Sequence, residues 1–410
     1  MKAVVCSLVA ALLFQFQFLS AQERCSTVSY MEACLSKDPA LAIRIKEAEQ
    51  KKINSASRIF TGVVKIPVVV HNLYHLPEEK ISDVQVLSQI EALNTYFRKR
   101  NADTAGIPSY FRSLAADCEI EFQLAISDPR KRSTSGIIRK YTPVTSWGPD
   151  DKMKFSTEMG DDAWDSKSYL NIWVCNMDKY AGYAAVPGSE AAKDGIVISY
   201  KSFGVTSSGS YGMGKTAVHE VAHWLGLKHI WGDAYCGDDG IDDTPKQASY
   251  TTGCPSAIRI TCGNAPYGDM YMNFMDLTND LCLKMFTTGQ KEKMRSFFEP
   301  GGVRESLLNS KGLNMPLISE IPVPTEDPKW LEPKIYPNPA TNELKLDLAY
   351  DIRWIGEKIF VTNIVGQNII NLIVTSKSQA IDISKLQPGT YFLAAKRTDG
   401  LSMKLKFVKL

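Results

Sequence analysis

Histidine is scarce in this chain, with five in 410 residues. Chemistry that needs several imidazoles must therefore be concentrated in one place. Neither sign of charge prevails: 47 lysines and arginines face 45 aspartates and glutamates, a formal net charge of +2. That balance removes the electrostatic case for nucleic acid or an anionic membrane surface as partner. Beyond Leu19 no apolar run approaches the length of a membrane span, so no transmembrane segment is expected in the mature chain. No two cysteines show the C-x-x-C spacing of many zinc and redox sites.

What is present begins at the N-terminus. Lys2, an apolar run from Ala3 to Leu19, and Ser20-Ala21 ahead of Gln22 form a basic region, an apolar region and a small-residue cleavage site. Residues 1–21 therefore read as a signal peptide, with a buried helix as the bland alternative. Removal of that segment takes Cys6 with it. Four of the remaining cysteines, Cys236, Cys254, Cys262 and Cys282, lie in a stretch rich in Gly, Asp, Thr and Pro. In an oxidising compartment they read as two disulfides, with a second zinc site as the competing reading.

Three of the five histidines fall in eleven residues: His219-Glu220-Val-Ala-His223-Trp-Leu-Gly226-Leu-Lys-His229. Imidazoles four apart on a helix share a face and can share a metal ion, with the adjacent carboxylate close by. Gly226 can take positive φ, end the helix and turn the chain back so that His229 arrives as third ligand. Three protein ligands leave a tetrahedral position open for water, the layout of a catalytic Zn²⁺. Glu220 is then the general base and acid of a hydrolysis.

Residues 22–57 are polar and helix-prone with few large apolar residues, and read as a propeptide outside any core. Strand patterns follow at Val63 to Tyr74, Glu119 to Ala125, Tyr169 to Cys175 and Gly195 to Ser199. A helix is expected over Asp83 to Arg98, with Val84, Leu87, Ile90, Leu93 and Phe97 on its apolar stripe. Further helices are expected at Lys215 to Leu225 and Thr288 to Phe298. The expected catalytic domain, residues 58–310, is α/β, with a mixed sheet, the metal helix and a loop-rich lower part. Residues 311–334 hold five prolines and read as a linker. Residues 335–410, with short strands and no histidine or cysteine, read as a small all-β sandwich.

The metal motif, followed by Tyr271-Met-Asn-Phe-Met275-Asp, resembles a metzincin metalloprotease, in which Met275 would sit in the Met-turn beneath the metal. Asp242-Asp243-Thr244-Pro245, Cys282-Leu-Lys-Met-Phe286-Thr and Tyr169-Leu-Asn-Ile-Trp-Val-Cys175 narrow the likeness to the pappalysins. The resemblance implies a zincin-type fold, cleavage of protein and peptide substrates, and the pairs Cys236–Cys262 and Cys254–Cys282. It implies Ca²⁺ near Asp239, Asp243 and Thr244, where clustered hard oxygen ligands also suit that ion and a solvated acidic loop is the alternative. It places Asp280 in the pocket for the side chain just after the cut bond, favouring Arg or Lys there. Where the family usually has tyrosine two residues past Met275, this chain has Leu277.

Arg24-Cys25-Ser26-Thr27 is similar to the Arg-Cys-Gly-Thr of latent relatives, which makes Cys25 the expected latency switch; a Cys25–Cys34 disulfide is the alternative. Ser57-Arg58 matches the expected basic preference and is the expected self-cleavage site. The tail, with Ile335-Tyr-Pro-Asn-Pro-Ala, Asn363-Ile-Val-Gly366, Gln387-Pro-Gly389-Thr-Tyr391 and the basic end Lys404 to Leu410, resembles a type IX secretion sorting domain of Bacteroidetes. It implies the secretion machinery as partner and a product that is secreted or held at the outer cell surface. The rival to a secreted zinc endopeptidase is a catalytically weak metzincin scaffold acting as a surface-displayed binding protein.

Overall fold

The computed structural model describes residues 23–50, 61–318 and 332–410, apart from 178, 207–208, 349–350 and 398–399 and the side chain of residue 352. The expected signal peptide, the Ser57-Arg58 boundary and linker residues Pro322, Pro324 and Pro328 lie outside them.

In chain order the elements before the tail are α1 (Thr27–Lys37), α2 (Ala40–Gln50), β1 (Val64–Tyr74), α3 (Asp83–Phe97), the single turn α4 (Ser109–Arg112), β2 (Ile120–Leu124), β3 (Ile137–Tyr141), β4 (Leu170–Cys175), β5 (Gly182–Ala184), β6 (Ile196–Ser199), α5 (Lys215–Trp224) and α6 (Thr288–Ser296). The sheet runs β2-β1-β4-β6-β5, with β3 also on β1. All pairs are parallel except β5 on β6. A parallel strand covered on both faces is apolar almost throughout. β1 is buried at every position but Lys65, and it is long enough to take β2 along 64–68 and β3 along 70–74.

The front face of the sheet packs against α3 and α5 in the main core. The buried stripe of α3 is Val86, Gln89, Ile90, Leu93, Tyr96 and Phe97, whereas Val84 and Leu87 are 77% and 56% exposed. The expected stripe was thus rotated. Gln89 belongs on the inner face because its amide donates to Gly214 O and accepts from Gly204 N, a use that apolar periodicity does not register.

The back face of the sheet carries Leu73, Trp173, Tyr183 and Val197, and α1 contributes Tyr30 to that cluster. The segment read as a propeptide is therefore not outside the core as expected: Tyr30 is buried in this cluster, and Met31 and Cys34 of the same helix pack against it. The expected linker also starts late. Gly312 O accepts from Ile126 N and Ser127 N, and Leu317 N and Ile318 N donate to Lys131 O, so residues 312–318 are bonded to the catalytic body.

Between α5 and α6 the described chain has no helix or strand. It is tied by Cys236–Cys262 and Cys254–Cys282. The tail adds β7 (Lys334–Tyr336), β8 (Glu343–Asp347), β9 (Lys358–Asn363), β10 (Asn368–Ile373), β11 (Ser378–Asp382), β12 (Gly389–Lys396) and β13 (Ser402–Lys409). Sheets ordered β10-β9-β12-β13 and β11-β8-β7 enclose a separate apolar core as a small sandwich.

Candidate active site

Every residue of α5 is buried. His219 and His223, one turn apart, bring their Nε2 atoms to 3.0 Å. Gly226 then takes φ of +84°, and a Cβ there would meet the Phe297 ring at 2.3 Å. Conformation and space both demand glycine. The reversed chain delivers His229, whose Nε2 lies 3.2 Å from each of the other two.

The outer nitrogens settle the tautomers. His219 Nδ1 donates to Phe274 O at 2.6 Å and His223 Nδ1 to Leu227 O at 2.8 Å. A carbonyl oxygen can only accept, so the protons sit on Nδ1 and the Nε2 lone pairs point inward. His229 Nδ1 faces the Asp233 carboxylate at 2.5 Å, which orients that ring the same way. Three lone pairs at this separation repel unless a cation lies among them, so the residues fit a metal ion. Burial, then the imidazoles of His223 and His229, hold His219 well below the usual histidine range. Burial and His229 bring His223 down to about 3. Both are neutral at physiological pH, as metal ligands must be.

The Met275 turn is bonded to this cluster at two points. Phe274 O takes the His219 proton, and Met275 O accepts from Ile230 N, next to His229. Met275 itself is fully buried. Its turn is held from behind by Asn273, which bonds Met275 N and pairs with Gln290 of α6.

Cys25 brings its Sγ to 3.6 Å from His223 Nε2, and it forms with the three histidines a group of four metal-ligating atoms within 4.8 Å of one another. Cys25 and Cys34 are both free thiols, so the alternative disulfide is not formed. Thr27 Oγ1 donates to Glu220 Oε2 at 2.9 Å and accepts from Ala184 N. Burial raises the Glu220 carboxyl to about 8.

Arg24, on the other side of Cys25, enters a closed pocket. Its Nη2 meets Asp280 Oδ1 at 2.7 Å and its Nη1 donates to Thr278 O, while the Tyr211 ring centre is 4.8 Å from its Cζ. The second Asp280 oxygen accepts from Met213 N, and Lys215 Nζ donates to Asp280 O. Asp280 is thus a pocket floor, not a loop carboxylate in solvent.

The acidic loop divides. Asp239 accepts from the Thr244 hydroxyl at 2.9 Å, whereas Asp243 caps α6 by accepting from Thr287 Oγ1 and Gly289 N. Both Asp243 oxygens thus accept from the start of α6, while the Asp239 oxygens accept from Thr244. Arg24, Thr27 and Asp233 received no role from the sequence. The first two flank Cys25 and carry a signal only through that proximity; Asp233 lies four residues past His229 and has none.

Residues 154–299 match the protein family described as Pregnancy-associated plasma protein-A. An extracellular metalloprotease of Colletotrichum graminicola is 32% identical over 246 residues, which span 54% of this chain and 86% of that protein. Mature mirolysin of Tannerella forsythia, solved with a cleaved peptide, is 45% identical with a TM-score of 0.59, covering 61% of this chain and 97% of that one. A promirolysin mutant from the same organism is 42% identical with a TM-score of 0.65, covering 70% of this chain and 97% of that one. The chain belongs to the pappalysin family. It is a metalloendopeptidase of that family, with the metzincin α/β architecture. Residues 334–409 match the secretion system C-terminal sorting domain, which makes this pappalysin an exported protein, secreted or attached at the cell surface by the type IX route.

Proposed function

We propose that this pappalysin is a zinc endopeptidase made as a latent zymogen, with a preference for Arg or Lys immediately after the cut bond. The observation that carries this reading is the placement of two adjacent propeptide residues: Cys25 on the histidine cluster and Arg24 in the Asp280 pocket. The propeptide holds a basic side chain where a substrate would, and a thiol where the attacking water would have to stand.

His219, His223 and His229 are the proposed zinc ligands. Bound there, zinc supplies a Lewis acid that polarises the scissile carbonyl and acidifies water. Glu220 takes the proton from the attacking water and returns it to the leaving amine. In the latent form Thr27 occupies the Glu220 carboxyl, and burial favours its protonated state. Loss of the propeptide lets water reach that carboxyl and restores the base. Met275 supports the ligand set from the turn below it.

The mature catalytic chain is proposed to begin near Arg58, with the tail from about residue 335 serving export. Asp239 and Thr244 are the residues that support a calcium site; Asp243 is committed to α6. The test is cleavage-site profiling of a peptide library by the activated chain and by Glu220→Ala. Arg and Lys enriched after the cut, with no cleavage by the variant, are the expected results. Scattered residues there would remove the role of Asp280. An activated wild type that cuts nothing would favour the binding-scaffold alternative.

A further inference from the structure

The propeptide leaves the active site by an unusual path. β5 is the edge of the sheet. Its Gly182 faces the metal helix, since a Cβ there would lie 3.1 Å from Glu220 Cγ. Alternation along a strand sends the next side chain, Tyr183, to the opposite face. The propeptide bonds to this edge through Ser26 N to Gly182 O and Ala184 N to Thr27 Oγ1. α1 then carries the chain round the edge, so that Tyr30 lands on the back of the sheet beside Tyr183.

There Tyr30 is 2% exposed. Its ring lies 4.5 Å from that of Tyr183, and its hydroxyl donates to Asp151 Oδ2 at 2.9 Å. The other Asp151 oxygen is used by the catalytic body alone, accepting from Tyr183 OH at 3.1 Å and pairing with Lys154 Nζ at 2.8 Å. Lys154, fully buried, also donates to Lys193 O, and its ammonium faces the Tyr30, Trp173 and Tyr183 rings at 5.5, 5.3 and 5.0 Å. Asp151, Lys154, Trp173 and Tyr183 thus belong to the catalytic body and hold partners of their own, while Met31 and Cys34 of α1 also pack against this cluster. Only Asp151 Oδ2 and the ring-shaped space depend on the propeptide.

We propose that, once the propeptide is gone, this slot is an exosite that accepts a tyrosine side chain from the part of a polypeptide substrate preceding the cut. The slot selects a phenol. It offers an aromatic face in Tyr183, a cation against the ring in Lys154, and an acceptor for the hydroxyl in Asp151. Phenylalanine would leave the Asp151 oxygen without its donor, and a basic side chain would meet the Lys154 ammonium. The side of the cut follows from the propeptide itself and rests on the role proposed for Asp280. Arg24 fills the pocket for the residue after the bond, Cys25 stands at the histidines, and Tyr30 lies beyond them in the other direction. A chain laid along the edge strand β5 brings side chains to its back face as readily as to its front.

The probe is a fluorescent peptide with the sequence of residues 28–50, which lacks Arg24, Cys25 and Thr27 and so reaches neither the Asp280 pocket, nor the histidines, nor Glu220 through them. Its binding to the activated enzyme, obtained by processing the full chain, is compared with that of the Tyr30→Phe and Tyr30→Ala peptides. Binding by the parent peptide is expected, a few-fold weaker for phenylalanine and at least about tenfold weaker for alanine, as for a buried aromatic anchor. In quenched substrates sharing one scissile bond, tyrosine scanned through the positions before it should raise kcat/KM over phenylalanine and alanine at one position. The parent peptide should remove that advantage without slowing substrates too short to reach the slot. Equal binding by the tyrosine and alanine peptides, or no position at which tyrosine is preferred, would overturn the exosite. If the activated enzyme cuts no substrate, the proposed protease function fails instead, and the binding comparison still decides the slot.

Discussion

Arg24 and Asp280, 256 residues apart in the chain, meet at 2.7 Å with side chains only 1% and 2% exposed. Removing one partner of a buried pair leaves an unpaired charge, typically at a cost of about 3–5 kcal/mol. Here each release has a different consequence. On the proposed reading, loss of Arg24 with the propeptide would leave Asp280, held in place by Met213 N and Lys215 N, ready for a basic side chain.

The same pair predicts how latency fails. Cys25→Ala removes the thiol from the histidines, and Arg24→Ala removes the pocket anchor. Freshly purified full chain carrying either change should hydrolyse a fluorogenic peptide at least about tenfold faster than the wild-type zymogen, a difference of roughly 1.4 kcal/mol in propeptide docking. A Cys25→Ala zymogen as inert as the wild type would refute the switch.

Asp280→Asn keeps the shape of the pocket and removes its charge. For peptides with Arg after the cut, kcat/KM should fall by roughly a hundredfold, the scale of a lost charge-assisted pair. Peptides with alanine there should change little. Steady-state kinetics on the two peptide series separates this from general damage.

Asp233 gives a prediction about acid. Burial opposes its ionisation, but the hydrogen bond from His229 is the largest of the effects that outweigh it and hold the carboxyl below the ordinary aspartate value of 3.8. A carboxyl lowered in the fold contributes stability above 3.8 that is lost as pH falls through its folded value. Metal retention against a chelator should therefore collapse on acidification, and Asp233→Asn should weaken retention at neutral pH by roughly 10- to 100-fold. Metal content after dialysis is the measurement; unchanged retention in the variant would remove Asp233 from the support of His229.

Asp239 behaves with the opposite sign. Burial raises its carboxyl to about 6, despite hydrogen bonds from Thr244 and Ile241. Its folded value lies above the unfolded one, so without a cation its contribution is complete below 3.8 and fades as pH rises through about 6. Calcium, which binds the carboxylate, should add more to Tm at about pH 7.5 than at about pH 5, and Asp239→Asn should abolish the gain. Thermal melts with and without calcium at the two pH values check this. A flat response would argue for a plain acidic loop.

Much of the site was legible because its chemistry is packed into one helix and the turn after it. His219, Glu220, His223, Gly226 and His229 carry their spacing in the sequence, and Gly226 proved to be demanded by both φ and the Phe297 ring. Four strands of the catalytic sheet are visible as apolar or alternating runs, but β3, half-buried along Ile137 to Lys140, shows no such run, and the three-residue β5 is too short to show a period. The inner face of α3 was misjudged because Gln89 is buried by two hydrogen bonds that hydropathy counts against it. The propeptide looked dispensable to the core because its hold on the body is not apolar area in bulk. It depends on a few side chains, Arg24, Cys25, Thr27 and Tyr30, whose partners are all far away in sequence.

β5 has one further consequence. An edge strand offers unpaired backbone groups to any extended chain it meets, and proteins usually shield such edges. Here the shield is the segment from Glu23 to Ser26, through Glu23 N to Lys179 O, Ala181 N to Glu23 O and Ser26 N to Gly182 O. On the proposed zymogen reading, the exported precursor travels with this margin of the sheet already stitched, protected against pairing with its own copies. On the same reading, the cut that starts catalysis also unpicks that seam, and from then on the enzyme would be both a cleaver of chains and a template on which they can align.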